Sequence, residues 1–161
     1  MTMESESLRT LGLVVLNYCS VGDTVRCVDG LLGFGSDFRV VVVDNLSPDG
    51  SYEVLRRRYE GRAFVDVVQT GRNGGYSYGN NVGMRWLIER YGCTVVGVLN
   101  PDVIIPRLEV LRVMKERLES DARFAVIGGM AVTTEHVFNP NYFGWDVPSA
   151  WKLLSYHCCV A

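Results

Sequence analysis

The chain has 161 residues, a size typical of one globular domain, and 48% of them are hydrophobic while 21% are charged. This composition excludes an intrinsically disordered chain. The formal net charge of -2 gives no reason to expect a nucleic-acid partner, because nucleic-acid-binding domains are generally basic.

The cysteines and the N-terminal residues favour a cytosolic protein. The five cysteines are odd in number and show no Cys-x-x-Cys spacing, so neither a disulfide framework nor a zinc site is predicted. The N-terminal stretch MTMESESLRT is polar and acidic, unlike a signal peptide. No apolar run is long enough to span a bilayer. We expect a cytoplasmic location, and the sequence leaves peripheral contact with the inner membrane face and oligomer formation open.

Strands and helices are predicted to alternate after a loose N-terminal tail over residues 1–10. The valine-rich runs LGLVVLN and RVVVVD, at 11–17 and 39–44, are typical of strands buried on both faces. Further strands are predicted at 63–69, 94–99 and 124–132. Helices are predicted at about 23–32, at about 52–59, over a segment that ends near Tyr91, and after Pro106.

Two connecting segments carry recognisable turn and loop signals. Ser47 or Asp49 is expected to cap the second helix, with Pro48 in its first turn. The glycine-rich stretch at 71–83, taken alone, is typical of a flexible loop that leads into the third helix.

The alternation predicts an α/β domain over 11–132, with right-handed crossovers and a mainly parallel sheet covered on both faces. Ligands bind such sheets at the carboxyl ends of the strands. Residues 133–161 are aromatic and lack clear periodicity, so we treat them as a separate region.

Short polar side chains follow four of the predicted strands, and this set suits a nucleoside diphosphate. Amides and carboxylates can pair with a base edge or a ribose hydroxyl, and glycines let the backbone approach a ligand closely. Asp102 is a hard oxygen ligand that suits Mg2+ or Mn2+. Each signal taken singly is also typical of a turn or a helix cap.

Two other nucleotide motifs are absent. The chain contains no GxxxxGK[ST] phosphate loop, and the turn after the first strand, NYCSVGDT, has one glycine where a dinucleotide fingerprint needs several. Neither a P-loop nucleoside triphosphatase nor a standard nicotinamide enzyme is therefore predicted.

Four motifs, in their order and spacing, resemble the family 2 glycosyltransferases. They are VVLNY, VVVDNLSPDGS, RNGGYSYGNNVG and VLNPDV. The resemblance covers about 11–106 and continues more weakly to the end. It is strongest to the rhamnosyltransferase-like branch, which builds bacterial polysaccharides. It implies a GT-A fold and a nucleotide-diphospho-sugar donor, with UDP-, dTDP- and GDP-sugars left open.

The resemblance also assigns roles to residues after the first two strands. Leu16 and Tyr18 would line the nucleotide pocket, while Asp44 and Asn45 would contact base and ribose. The chain departs from the family at Cys19, where Asn or Asp is usual, and this removes one polar contact.

In the later motifs, Asn73 and Gly75 would lie near the base and the diphosphate, and Asn81 would support their loop. Asn100 and Asp102 stand where the family carries its DxD-type element, with Asp102 as the metal ligand. In this branch Asn often replaces the first Asp.

Members of the family invert the anomeric centre in one displacement, with a metal ion at the diphosphate and a carboxylate as general base. That base lies downstream, in an acidic motif of the acceptor-binding half. Glu135 and Asp146 are the only acids past Arg123, and neither lies in a matching pattern. The segment GWDVPSAWKLL resembles the start of the acceptor region, so we expect a chain truncated at its C-terminus, without the general base.

The leading hypothesis is therefore a metal-dependent glycosyltransferase that acts on a glycan or lipid-linked acceptor, with transfer by this chain alone left open. The alternative is a non-catalytic nucleotide-sugar-binding or interaction module. A nucleotidyltransferase ranks third. That class needs a glycine-rich and basic loop directly after the first strand, and the turn NYCSVGDT lacks these residues.

Overall fold

The computed structural model describes residues 8–35 and 37–129, which contain a four-stranded parallel sheet flanked by helices. A short 3-10 turn, Leu8–Thr10, comes first. The elements that follow are β1 (Leu11–Asn17), α1 (Val21–Leu32), β2 (Arg39–Asp44), α2 (Ser51–Tyr59), β3 (Val65–Gln69), α3 (Gly75–Tyr91), β4 (Val95–Leu99) and α4 (Leu108–Glu119). The predicted α/β class and the first four predicted strands are confirmed.

The strand order is β3-β2-β1-β4, and every neighbouring pair is parallel. All seven residues of β1 are buried, as expected for a central strand made largely of valine and leucine. The register places Asn17 opposite Asp44, and Asp44 opposite Gln69. The carboxyl ends of three strands therefore lie level at one edge of the sheet.

Alternate residues of the central strands enter two separate cores. Leu13, Val15 and Val42 pack with apolar side chains of α1 and α2 on one face, whereas Val14 and Val43 pack with α3 on the other. This two-sided burial follows from the period of two along a strand and from helices on both faces of a parallel sheet.

Helix α3 begins at Gly75, so the second half of the glycine-rich stretch is helical and its interpretation as a flexible loop is wrong there. The reason is close packing. A β-carbon added to Gly83 would lie 2.6 Å from Cγ1 of Val14, and one added to Gly79 would lie 2.3 Å from Cδ1 of Leu16. Glycine on this helix face lets α3 approach the end of β1 more closely than any other residue would.

Helix α2 begins at Ser51, so the prediction that Pro48 lies in its first turn is wrong. Gly50 precedes the helix in the left-handed region, with φ of 78°, and separates the proline turn from the helix. The N-cap is Gly50, so the prediction that Ser47 or Asp49 caps the helix is wrong as well. Asp49 contacts the first helical residue instead, because its Oδ1 accepts hydrogen bonds from the backbone N of Ser51 at 3.0 Å and from its hydroxyl at 2.5 Å.

The predicted fifth strand is not formed in its described part, residues 124–129. Val126 is 86% exposed there, and an apolar run becomes a strand only when its backbone pairs with a neighbour. The remainder of that strand, 130–132, lies outside the described residues. So do Glu135, Asp146 and the segment compared with the acceptor region.

The chain divides into two compact units, Met1–Ala125 and Val126–Ala161, and the sheet lies in the first. The predicted boundaries at residues 10 and 132 stay predictions. Within 8–35 and 37–129, none of the helices has the length and hydrophobicity that a membrane span requires.

Candidate functional site

The carboxylate of Asp44 joins the ends of β1, β2 and β3. Its side chain is fully buried, and Oδ2 accepts a hydrogen bond of 2.8 Å from Nδ2 of Asn17. Oδ1 accepts from the backbone N of Ser47 at 3.0 Å and from Nε2 of Gln69 at 3.1 Å. A ligand cannot reach this carboxylate while these bonds hold, so its role in this structure is to hold the surrounding loops.

The loops after β1 and β2 are held against each other by Ser47. Its Oγ accepts from the backbone N of Cys19 at 3.0 Å and from Nδ2 of Asn17 at 3.3 Å. Cys19 and Leu46 adopt positive φ angles of 52° and 58°. Only glycine, Asn and Asp adopt this region readily, so the backbone is strained at Cys19 and Leu46.

Asn45 positions the loop between β3 and α3. Its Nδ2 donates to Oδ1 of Asn73 at 2.9 Å and to the carbonyl of Gly75 at 3.3 Å, while its Oδ1 accepts from Thr70 at 3.2 Å. The predicted residues Asn45, Asn73 and Gly75 are therefore in direct contact. We call six buried polar residues at this edge the strand-end network: Asn17, Thr24, Asp44, Asn45, Ser47 and Thr70.

An open cleft of about 420 Å³ lies at the carboxyl ends of β1 and β4, beside this network. It is bounded by the first turns of α1 and α3 and by the turn after β4. Its lining residues are Leu16, Tyr18, Ser20, Asp23, Tyr76, Asn100, Pro101 and Asp102. We call its four exposed polar residues the cleft rim: Tyr18, Tyr76, Asn100 and Asp102.

The structure brings four predicted residues, Leu16, Tyr18, Asn100 and Asp102, into this cleft. The network is adjacent, since a β-carbon on Gly79 would meet Leu16 at 2.3 Å and Oδ1 of Asn45 at 3.4 Å. The predicted residues thus gather at one edge of the sheet, as the alternation of strands and helices implies.

Asn80 and Asn81 differ in a way that the sequence does not show. Asn81, the predicted loop support, is exposed and makes no side-chain hydrogen bond within the described residues. Asn80 is 3% exposed, and neither its Oδ1 nor its Nδ2 has a partner in that part of the chain. An unpaired buried amide costs free energy, so Asn80 is the more unusual of the two.

Four further residues at this edge carry no predicted role: Ser20, Asp23, Tyr76 and Asn80. Helical periodicity over 75–91 would have given one signal, because Tyr76 and Asn80 are four residues apart and share a face. Asp23 accepts hydrogen bonds from Ser20 at 3.1 Å and from Arg26 at 2.8 Å. Residues at the start of α1 line the cleft together with the turn after β4, and the sequence gives no sign of this proximity.

The cleft fits a divalent cation that takes one or two ligands from the protein and its other ligands from water or phosphate. Asp102 is exposed in it, and Asp23 lines it too. Burial, and after it the charge of Asp102, raises the pKa of the Cys27 thiol to about 11, so this thiol keeps its proton near neutral pH and offers no thiolate ligand. No group of three or more His, Cys, Asp or Glu suited to a metal occurs among the described residues. Mg2+ and Mn2+ bound by one or two carboxylates take their other ligands from water and phosphate.

A second cavity, of about 160 Å³, lies between α1 and α2 and contains none of the predicted residues. Asp29 and Arg58 form an ion pair in its lining, and the hydroxyl of Tyr59 donates to Asp29 at 3.0 Å. The hydrogen bond from Arg58 lowers the pKa of Asp29. These charges satisfy one another, which marks a packing contact between helices.

The profile of Glycosyl transferase family 2 matches residues 13–146. The chain belongs to this family. A curated relative, the low-salt glycan biosynthesis hexosyltransferase Agl10 of Haloferax volcanii, is 31% identical over 108 residues, which are 67% of this chain and 33% of that protein. The family suggested by the four motifs is therefore confirmed.

Solved structures confirm the GT-A fold. The mannosyltransferase PcManGT from Pyrobaculum calidifontis, in complex with GDP-Man and Mn2+, has a TM-score of 0.58 at 20% identity, over 68% of this chain and 32% of that one. TarS 1-349 of S. aureus, in complex with UDP, has a TM-score of 0.53 at 20% identity, over 67% and 32%. The chain spans about a third of the length of these relatives.

Proposed function

We propose that the cleft binds a nucleotide-diphospho-sugar, and that the chain supplies the donor site for transfer of a hexosyl or rhamnosyl group to a glycan or lipid-linked acceptor. The observation that carries this proposal is the convergence of the cleft rim and the strand-end network at one edge of a GT-A sheet. The GDP-Man and UDP complexes of the structural relatives support a donor of this class.

Within this proposal, base and ribose lie along Leu16, Tyr18, Asn45 and Asn73. The ring of Tyr18 is 50% exposed and offers a face for stacking. Asn73 and Gly75 are exposed where Asn45 holds them, so their loop can meet the ligand. For Asp44 we propose an indirect role, because its fully buried carboxylate holds the loops that touch base and ribose.

Asp102 is the proposed ligand of Mg2+ or Mn2+, with Asn100 beside it. The ion, when bound, supplies positive charge against the negative charge that builds on the departing diphosphate. An inverting displacement also needs a carboxylate that takes the proton of the acceptor hydroxyl. We assign that role to no described residue.

One observation favours the alternative of a donor-binding module without transfer activity. Among the described residues, two carboxylates line the cleft: Asp23 is already bonded to Ser20 and Arg26, and Asp102 is the proposed metal ligand. Release of sugar from a bound donor, to water or to an added acceptor, separates the two functions. A module binds the donor and leaves it intact, whereas an enzyme consumes it.

The proposal is tested by thermal unfolding with UDP, GDP or dTDP, each with Mn2+. A ligand at about 100 times its Kd stabilises the native state by about 2.7 kcal/mol. For a domain of this size we therefore expect the melting temperature to rise by about 5–10 °C with at least one nucleotide.

Asp102→Ala should abolish the part of this rise that depends on Mn2+. Asp121→Ala is the matched control, because Asp121 is a carboxylate outside the cleft, paired with Arg123. It should leave the rise unchanged. Absence of a rise with all three nucleotides would contradict the proposed function.

A further inference from the structure

A hydrogen bond crosses the cleft and joins two elements that are far apart in sequence. The hydroxyl of Tyr76, in the first turn of α3, donates to Oδ1 of Asn100, just after β4, at 2.8 Å. Both side chains line the cleft, and Tyr76 is 56% exposed. The bond therefore lies where a ligand of the cleft would meet it.

This bond orients the amide of Asn100. An asparagine amide has an oxygen that accepts and an NH2 group that donates. The Tyr76 hydroxyl takes one of the two lone pairs of the oxygen and so turns the oxygen toward α3, while the NH2 group has no partner within the described residues. Only the oxygen could coordinate a cation, whereas the NH2 group can donate to an oxygen of a phosphate or a sugar.

Asp102 contrasts with its neighbour. Its carboxylate is exposed and forms no hydrogen bond or ion pair within 8–35 and 37–129, so both oxygens are available. The turn after β4 thus presents a donor at Asn100 and free acceptors at Asp102. These two groups complement an anionic diphosphate and its cation, respectively.

We propose that Tyr76 is a positioning residue that fixes the amide of Asn100 as a hydrogen-bond donor to the diphosphate or sugar oxygens, and that the divalent cation is left to Asp102. The inference rests on the proposed function, since it assumes that a nucleotide diphosphate enters this cleft.

The test measures two affinities separately: that of the nucleoside diphosphate (UDP, GDP or dTDP) at saturating Mn2+ by calorimetry, and that of Mn2+ alone by electron paramagnetic resonance. Tyr76→Phe should weaken nucleotide binding roughly fivefold, the worth of about one hydrogen bond, and leave Mn2+ affinity unchanged. Asn100→Ala should weaken it at least as much. The double variant should lose no more than Asn100→Ala alone, because the hydroxyl acts through the amide.

Tyr78→Phe is the matched control, because Tyr78 lies on the same helix and its hydroxyl makes no hydrogen bond within the described residues. It should leave both affinities unchanged. The unfolding midpoint of each variant without ligand verifies that its fold is intact.

The outcomes separate this inference from the function on which it rests. If the wild-type chain binds none of the three nucleotides, the proposed function fails. If it binds one and Tyr76→Phe binds it equally well, the inference alone is overturned. A parallel loss of Mn2+ affinity in Tyr76→Phe, or additive losses in the double variant, would also overturn it.

Discussion

The strand-end network and the cleft rim lie at the same edge of the sheet and contain similar residue types, yet they differ in burial. Asn17, Thr24 and Asp44 are fully buried, and each has a hydrogen-bond partner inside the protein. Asn100 and Asp102 are exposed and can exchange water for a ligand. Since a buried polar group without a partner is costly, the network stabilises the fold and the rim is free to bind.

Removal of one carboxylate from each group tests this difference in burial most directly. Asp44→Ala removes three hydrogen bonds and leaves buried donors at Asn17 and Ser47, so we expect the free energy of unfolding to fall by about 3 kcal/mol. Asp102→Ala should change it by less than about 0.5 kcal/mol. Urea denaturation followed by circular dichroism measures both, and equal effects would show that the division is wrong.

The pKa of the Cys27 thiol is raised by its burial in the core and, to a smaller extent, by the charge of Asp102 at the cleft rim. This pKa is about 11 in the folded chain against an ordinary value of 9.0, so the folded state keeps its proton where the unfolded state loses it. Stability is therefore fully present below pH 9 and should fall by about 2–3 kcal/mol as pH rises from 9 to 11.

Denaturation curves across this pH range, for the wild-type chain and Cys27→Ala, measure the effect. The variant should lose this part of the alkaline destabilisation. Cys19→Ser replaces an exposed thiol and should retain it. Identical pH dependence in the wild-type chain and Cys27→Ala would contradict the assignment.

Asn80 is the exception to the rule that the buried side of this edge is satisfied. Both polar atoms of its side chain lack partners within 8–35 and 37–129, so Asn80→Leu should raise the free energy of unfolding by about 1–2 kcal/mol. Asn81→Leu, at the exposed neighbouring position, should change it by less than about 0.5 kcal/mol. A loss of stability in Asn80→Leu would mean that water or another group satisfies the amide.

The smallest effect concerns the strained turn at Cys19. Its φ of 52° lies in the left-handed region, where Asn is tolerated better than Cys, so Cys19→Asn should raise stability by about 0.5–1 kcal/mol. Cys19→Ala keeps a side chain that disfavours this region and should give no such gain. Chemical denaturation of the three proteins side by side decides whether backbone strain is the cause.

The first four strands, the fold class and the sheet edge that carries the candidate site could all be predicted from the sequence. Valine-rich runs at 11–17 and 39–44 predict central strands because only two-sided burial tolerates continuous apolar residues. Four motifs in a fixed order indicated the family. Parallel strands then bring the residues after each strand to a common edge, so Asn45, Asn73 and Asp102 could be grouped without coordinates.

The sequence does not show which of these polar residues are buried or which partners they have, because both depend on the packing of the helices and strands. Packing buries Asp44 and exposes Asp102, buries Asn80 and exposes Asn81, and joins Tyr76 to Asn100. Periodicity along the chain reports the local repeat of a helix or strand. Burial and pairing depend instead on which faces meet after the elements pack, and residues distant in sequence fix that together.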